Sequence, residues 1–235
     1  MMRLSEALQI PHGVTAFVGG GGKTTAIARL AQELSATGRV LVATTTHIYP
    51  PKLPVLIDPS EDDLWEAFRQ HAVVAVGSDW GDKLGPPENL DAMCALSDYA
   101  LIEADGSRGL SLKAPAAHEP VIPESARLVV AVAGMDGIGQ MISAVHRPER
   151  YAALVGKPLD ALVTPEDVAK VLLHPNGQRK GVNCPWRVLL NKADDDEHLK
   201  LARGTAEKIS GVVVIASFKR DPVLLEVWRD GICAS

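Results

Sequence analysis

One segment decides most of what this chain can become. Val14-Thr15-Ala16-Phe17-Val18 runs into four glycines, and Lys23-Thr24-Thr25 then opens a helical pattern. A short apolar run bounded by turn residues reads as a buried strand. Glycine tolerates positive φ and lets the backbone approach a ligand closely. A helix starting right after such a turn offers unpaired N–H groups and the positive end of its dipole. Strand, glycine turn and helix N-terminus in this order predict a phosphate cradle. Gly19, Gly20, Gly21 and Gly22 would supply amides, Lys23 would lie along the β- and γ-phosphates, and the Thr24 hydroxyl would bind Mg²⁺ beside Thr25. The strict spacing GxxxxGK[ST] asks for glycine where Phe17 stands, so the segment fits the variant GGxGKTT better. Many nucleotide switches of that variant place a second lysine before the glycine pair, reaching across a dimer. Here that position is Val18, and a homodimer stays an open expectation.

The rest of the chain alternates between the same two kinds of segment. Strands are expected at Val14–Val18, Val40–Thr44, Ala72–Val76, Tyr99–Glu103, Leu128–Ala133, Trp186–Leu190 and, last, Val212–Ile215. Helices are expected at Thr24–Thr37, closed by Gly38, and at Glu61–Gln70, Asn89–Leu96, Glu149–Leu154, Pro165–Leu173 and His198–Ile209. Such alternation predicts an α/β fold of three layers, a mostly parallel sheet flanked by helices, of the P-loop NTPase-like kind. One domain over residues 1–235 is the simplest organisation.

Composition narrows the class. Aromatics are only 4% of a chain that is 46% hydrophobic, so the core is aliphatic, as in parallel strands buried on both faces. The net charge of −5, without a Lys/Arg tract, argues against a nucleic-acid or anionic-membrane partner. Cys94, Cys184 and Cys233 are scattered and form no CxxC pair, which disfavours a disulfide framework or structural zinc. With no apolar leader and no 18-residue apolar run, a cytoplasmic location is expected.

Several further groups gather at expected strand ends, where this class of sheet binds ligands. Asn191-Lys192-Ala193-Asp194 follows the strand ending at Leu190. In GTP-binding proteins an NKxD here recognises guanine: the Asp carboxylate accepts from N1–H and the 2-amino group, a bidentate charged contact adenine cannot make. The Lys192 stem would cover the base, Asn191 would brace the neighbouring loop, and Ser217, after Val212–Ile215, would close the pocket. A polar strand-end loop is the plainer alternative, because Asp194 also opens the acidic run through Glu197. Glu103 closes an apolar strand and begins Glu103-Ala104-Asp105-Gly106, so either Glu103 or Asp105 would reach Mg²⁺. Arg108, Lys113, His118, His146 and Arg147 lie in loops that could close over phosphates, Arg108 foremost as a cation for transferring phosphoryl charge, although a surface or ion-pair role is the plainer reading of any single one. His47, at the end of Thr44-Thr45-Thr46-His47, has no neighbouring Cys or His at ligand spacing. Met135-Asp136-Gly137-Ile138-Gly139 has the composition of a mobile switch.

Taken in order, Val18–Thr25, Thr44–His47, Leu101–Gly109, Lys113–Pro115, Ala117–Pro123, Val145–Glu149 and Leu190–Asp194 resemble the YqeC-type selenium-dependent hydroxylase accessory proteins. The resemblance spans nearly the whole chain, and Glu-Ala-Asp-Gly with Ala-x-His-Glu-Pro is its most distinctive part. It implies a role beside molybdenum hydroxylases, in maturing the enzyme or inserting its cofactor. More distantly, the glycine loop with a Glu-x-x-Gly strand end is similar to GTPases that deliver nickel or other metals to apo-enzymes, a fold-level analogy.

The leading expectation is therefore a Mg²⁺-dependent NTPase, using GTP in preference to ATP, that drives an accessory step on a metalloenzyme. A small-molecule phosphotransferase, with its acceptor between Thr44–His47, Arg108 and His118, is the second. A nucleotide sensor without turnover is the third, kept open by the missing lysine at Val18.

Overall fold

In a computed structural model, residues 2–234 are described. The centre is β1 (Gly13–Gly19), which lies parallel to both β6 (Tyr99–Glu103) and β7 (Ala126–Gly134). On one side β6 leads to β2 (Val40–Thr44), β4 (Val73–Trp80) and the edge strand β3 (Val55–Ile57), all in parallel pairs. On the other, β7 leads through β8 (Trp186–Asn191) to β9 (Val212–Ala216), again parallel. The register sets Phe17 opposite Glu103 and Thr44 opposite the same residue. Three strand ends therefore converge where the glycine turn begins.

Helices cover both faces. Phe17, Val42, Leu101 and Val130 point to α2 (Lys23–Leu34) and the four-residue α1 (Leu4–Ala7), meeting Ala26, Ile27, Leu30 and Leu4. On the opposite face Leu41, Ala100 and Ile102 pack on α3 (Glu61–Gln70) and α4 (Leu90–Ala95). Further along that face, Val129, Ala131 and Val188 pack on α5 (Pro148–Val155), α6 (Pro165–Leu173) and α7 (Asp196–Ala206). The aliphatic composition follows from this burial on both faces.

The sheet differs from expectation at its margins. Val212–Ile215 is not the last strand: β10 (Leu224–Arg229) pairs antiparallel with β9, and β11 (Ile232–Cys233) pairs antiparallel with β10. Asp230 and Gly231 join them at φ 51° and 77°, the two positive angles that a two-residue hairpin turn requires. The sheet is thus mixed, with β5 (Lys83–Gly85) adding a further antiparallel pair to β4. The acidic run 194–197 proves to be a helix start: the Asp195 side chain caps α7, and Asp196 and Glu197 sit in its first turn. Among the described residues no helix is long and apolar enough to cross a membrane.

Candidate functional site

The glycine loop departs from the strict spacing for a visible reason. β1 runs on through Gly19, so position 17 is still strand, and Phe17 is fully buried against α2. Burying such a side chain contributes about 1.5–3 kcal/mol. The turn is left to Gly20, Gly21 and Gly22. At Gly21 φ is +79° and a Cβ would lie 2.2 Å from the backbone nitrogen of Gly134; at Gly22 φ is +117° and a Cβ would lie 2.4 Å from Asn191 Nδ2. The outer side of the turn is tied down, with Gly20 N donating to Val132 O at 2.9 Å and Gly21 N to Leu110 O at 3.0 Å. The first bond of the helix runs from Ala26 N to Gly22 O at 3.0 Å. The amides of Lys23, Thr24 and Thr25 are therefore the free donors of the α2 N-terminus.

Two acids from the end of β6 meet this helix start in different ways. The Thr24 hydroxyl donates to Glu103 Oε2 at 2.9 Å. Lys23 Nζ donates to Gly19 O at 2.6 Å and sits 3.6 Å from Glu103 Oε1 and 3.1 Å from Asp105 Oδ1. Burial works against the Lys23 charge, but Asp105 and Glu103 outweigh it and raise its pKa above the ordinary lysine value. Asp105 is fully buried and accepts from Gly19 N with both oxygens, at 3.1 and 2.9 Å. Glu103 thus faces the helix start, while Asp105 is spent on holding the end of β1.

Behind Asp105 the charges continue in alternation. Lys113 Nζ lies 2.9 Å from Asp105 Oδ2 and 2.8 Å from Glu119 Oε2, and donates to Gly106 O at 2.7 Å. Glu119 takes both arms of Arg147, at 2.7 and 2.8 Å, a bidentate pair. Burial alone would raise the Glu119 pKa, but hydrogen bonds from Arg147 and Lys113 bring it down to about 2. His146 is pushed down to about 4, first by burial and then by the Arg147 and Lys113 charges. Of the two readings open for the loop cations, Lys113 and Arg147 take the ion-pair one. Lys113 is buried, Arg147 is engaged with Glu119, and His146 is packed between them and the core. His118 is exposed and, like these three, stands off the cleft wall.

That cleft, of about 610 Å³, opens over the helix start. Gly22, Lys23, Thr24, Thr25 and Glu103 form its floor; His47, Tyr49 and Lys83 stand on one side, Arg108 and Lys192 on the other. Lys23 is paired with Asp105 and Glu103, and Lys192 with Asp136, so Lys83 and Arg108 are the cleft cations without a carboxylate partner among the described residues. Arg108 has φ 52° and is exposed; His47 packs its ring 4.1 Å from that of Trp80. Among the described residues no group of three or more His, Cys, Asp or Glu side chains has the arrangement to hold a metal by itself.

The sequence model of the YqeC protein family matches residues 15–149, from β1 to the first turn of α5. The chain belongs to the YqeC family. The Escherichia coli (strain K12) protein YqeC, itself uncharacterized, is 38% identical over 181 residues, covering 72% of this chain and 71% of that protein. No solved structure matches.

The matched span takes in the glycine loop, both acids of the β6 end and the chain from Lys113 to Arg147. Asn191-Asp194 lies beyond it, on β8 and its exit loop. There Asn191 Nδ2 donates to Gly21 O at 2.6 Å, joining the loop to the glycine turn. Lys192, at φ 64°, donates to Ser111 Oγ at 2.7 Å and Asp136 Oδ2 at 2.9 Å. Asp194 accepts from Ser217 Oγ at 2.6 Å and lies 2.8 Å from Lys219 Nζ; burial opposes, but these partners lower its pKa. Asp194 and Ser217 are together but do not line the cleft. Sequence reasoning missed Ser111, Tyr49, Lys83 and Glu119. The first three lack any motif, whereas Glu119 stands within Ala117-His118-Glu119-Pro120.

Proposed function

We propose that this YqeC-family chain binds a nucleoside triphosphate with Mg²⁺ on Gly19–Thr25, as a fold of the P-loop NTPase kind. In this reading it hydrolyses GTP in preference to ATP and assists maturation of, or cofactor insertion into, a molybdenum hydroxylase. The observation that carries the reading is the Thr24 hydroxyl 2.9 Å from Glu103 Oε2 at a glycine-started helix, with Lys23 beside both. One hydroxyl and one carboxylate suit a small divalent ion that keeps several waters and takes its other ligands from phosphates. Bound there, Mg²⁺ would neutralise charge on the phosphate oxygens. Lys23 would release Gly19 O to meet phosphate, and the free amides of α2 would accept the anion. Glu103 is the metal-facing acid in this scheme, and Asp105 positions the loop.

What supports guanine is Asn191-Asp194 at the end of β8, braced to Gly21 and backed by Ser217. Asp194 would exchange its pair with the exposed Lys219 for the base. What supports the accessory role is the family resemblance of the motifs. Calorimetric titration with GTP and ATP, with and without Mg²⁺, followed by phosphate release, tests the proposal. Equal affinity for the two nucleotides removes the guanine part, and no binding of either removes the whole.

A second reading, a nucleotide sensor without turnover, is favoured by one observation. Glu103 is the lone carboxylate on the cleft wall, and it is committed to Thr24 and Lys23. Among the described residues the other candidate base on the wall is His47, whose ring is packed against Trp80. Tight GTP binding with no phosphate release in the presence of the client would select it.

A further inference from the structure

A second hollow adjoins the cleft just described. It measures about 440 Å³ and lies between α2, β2 and residues 48–53. That volume falls within the about 300–1,000 Å³ of small-molecule sites. Its walls are Ile27 and Ala28 from α2, Val42 from β2, and Pro50, Pro51 and Leu53 from the segment that follows. Tyr49, 67% exposed, belongs to both hollows, as do Thr24, Thr25 and Glu103. Lys83 Nζ lies 5.3 Å from the centroid of the Tyr49 ring.

The chemistry of this hollow is uneven. Branched aliphatic and proline walls beside a tyrosine ring favour a flat, polarisable ring system. Its polar side chains are few: Thr24, Thr25, Tyr49, Lys52 and Glu103. Glu103 and the threonine hydroxyls lie at the junction with the main cleft, and Lys52 lies at the outer rim. Lys52 is exposed and makes no hydrogen bond or ion pair among the described residues. The Lys52 ammonium attracts an anionic group and the Glu103 carboxylate repels it, so an anion is held at the lysine.

We propose that this hollow binds a planar aromatic or heteroaromatic small-molecule anion, its ring against Tyr49 and the α2 wall and its charge at Lys52. Its place beside a terminal phosphate rests on the nucleotide reading above; its own chemistry does not. Because Thr24, Thr25 and Glu103 serve both hollows, each ligand changes the affinity for the other, by the same factor in both directions.

The test uses the full chain and 1-anilinonaphthalene-8-sulfonate, an aromatic sulfonate whose fluorescence reports burial. Saturable one-to-one binding is expected. Ala28→Trp, at an exposed helical position, fills the hollow from its wall and should abolish the signal. Lys52→Glu should weaken the probe about fivefold, the scale of an exposed ion pair turned repulsive. It should leave the uncharged N-phenyl-1-naphthylamine unchanged. Probe binding that is undiminished in Ala28→Trp overturns the proposal, and so does equal sensitivity of both probes to Lys52→Glu. If Ala28→Trp does not fold, Lys52→Glu with the two probes decides alone. GTP titrated into the same samples separates the two readings. Ala28→Trp-sensitive probe binding in a chain that takes no nucleotide keeps the hollow and removes the NTPase, and the reverse pattern does the opposite.

Discussion

Glu119→Gln isolates one link in the buried charge chain and has a magnitude fixed in advance. The glutamine stands in for the protonated acid, so its cost is the free energy that holds the Glu119 pKa near 2 rather than at its ordinary 4.5. At about 1.4 kcal/mol per pKa unit, the difference of about 2.5 between these values amounts to about 3.5 kcal/mol at pH 7. An independent argument gives the same size, since removing one member of a buried ion pair costs about 3–5 kcal/mol. The low end applies here because Lys113 keeps Asp105 at 2.9 Å and Arg147, partly exposed, can turn to water. A carboxylate with a lowered folded pKa stabilises above its unfolded pKa and loses that contribution as pH falls through the folded one. Wild type and variant should therefore differ by about 3.5 kcal/mol at pH 7, only about 1.4 kcal/mol at pH 3, and converge below pH 2. Urea titrations of both proteins at pH 7 and pH 3 measure this. A difference below about 1 kcal/mol at pH 7, or one that does not shrink with pH, would show that the pairing seen at Glu119 does not stabilise the fold.

The remaining predictions concern the glycine loop and its neighbours. Lys23→Met should weaken triphosphate binding on the order of 100-fold, the upper range for a hydrogen bond to a charged group, read by calorimetry. Thr24→Ala should leave nucleotide affinity in EDTA unchanged and remove the gain on adding Mg²⁺; an unaltered Mg²⁺ response would take Thr24 out of the metal site. Asp194→Asn should lower GTP affinity about 10- to 100-fold while sparing ATP, so a parallel loss of both would point to a structural role through Ser217. Gly21→Ala places a Cβ 2.2 Å from the Gly134 nitrogen at φ +79° and should give little folded protein, judged by circular dichroism and solubility.

How much of this was legible in the sequence varies with the range of the forces involved. The central strands could be read because burial on both faces writes an unbroken apolar run, as in Val14–Val18 and Leu128–Ala133. The edges could not. Val55–Ile57 and Lys83–Gly85 are three residues long, too short for any period to show, and are held by their partner strand. The hairpin of β10 and β11 carried its signal in Asp230-Gly231, overlooked because a parallel reading looks for helices between strands. At the site, Lys23, Thr24 and Glu103 were legible because helix start and strand end fix them through local backbone. The partners of Lys113 and Arg147 were not, because a cation in a loop looks the same whether it faces water or a buried acid.

That last point bears on why the distinctive motifs occur together. Glu-Ala-Asp-Gly and Ala-x-His-Glu-Pro seem separate in sequence, yet one ammonium joins them, with Lys113 bridging Asp105 of the first and Glu119 of the second. Asp105 in turn holds the amide of Gly19 and the ammonium of Lys23. Each carboxylate in this buried series is flanked by two cations, so the loss of one member changes the pairing of its neighbours. The series connects the glycine turn with Arg147, which stands just before α5 and is a quarter exposed at its side chain. A partner or ligand that drew Arg147 away from Glu119 would thus alter the electrostatic field at Lys23 without touching the cleft. Glu119→Gln then has a second readout: if the series transmits, nucleotide affinity changes along with stability. If it is only scaffold, affinity at temperatures well below unfolding stays at the wild-type value.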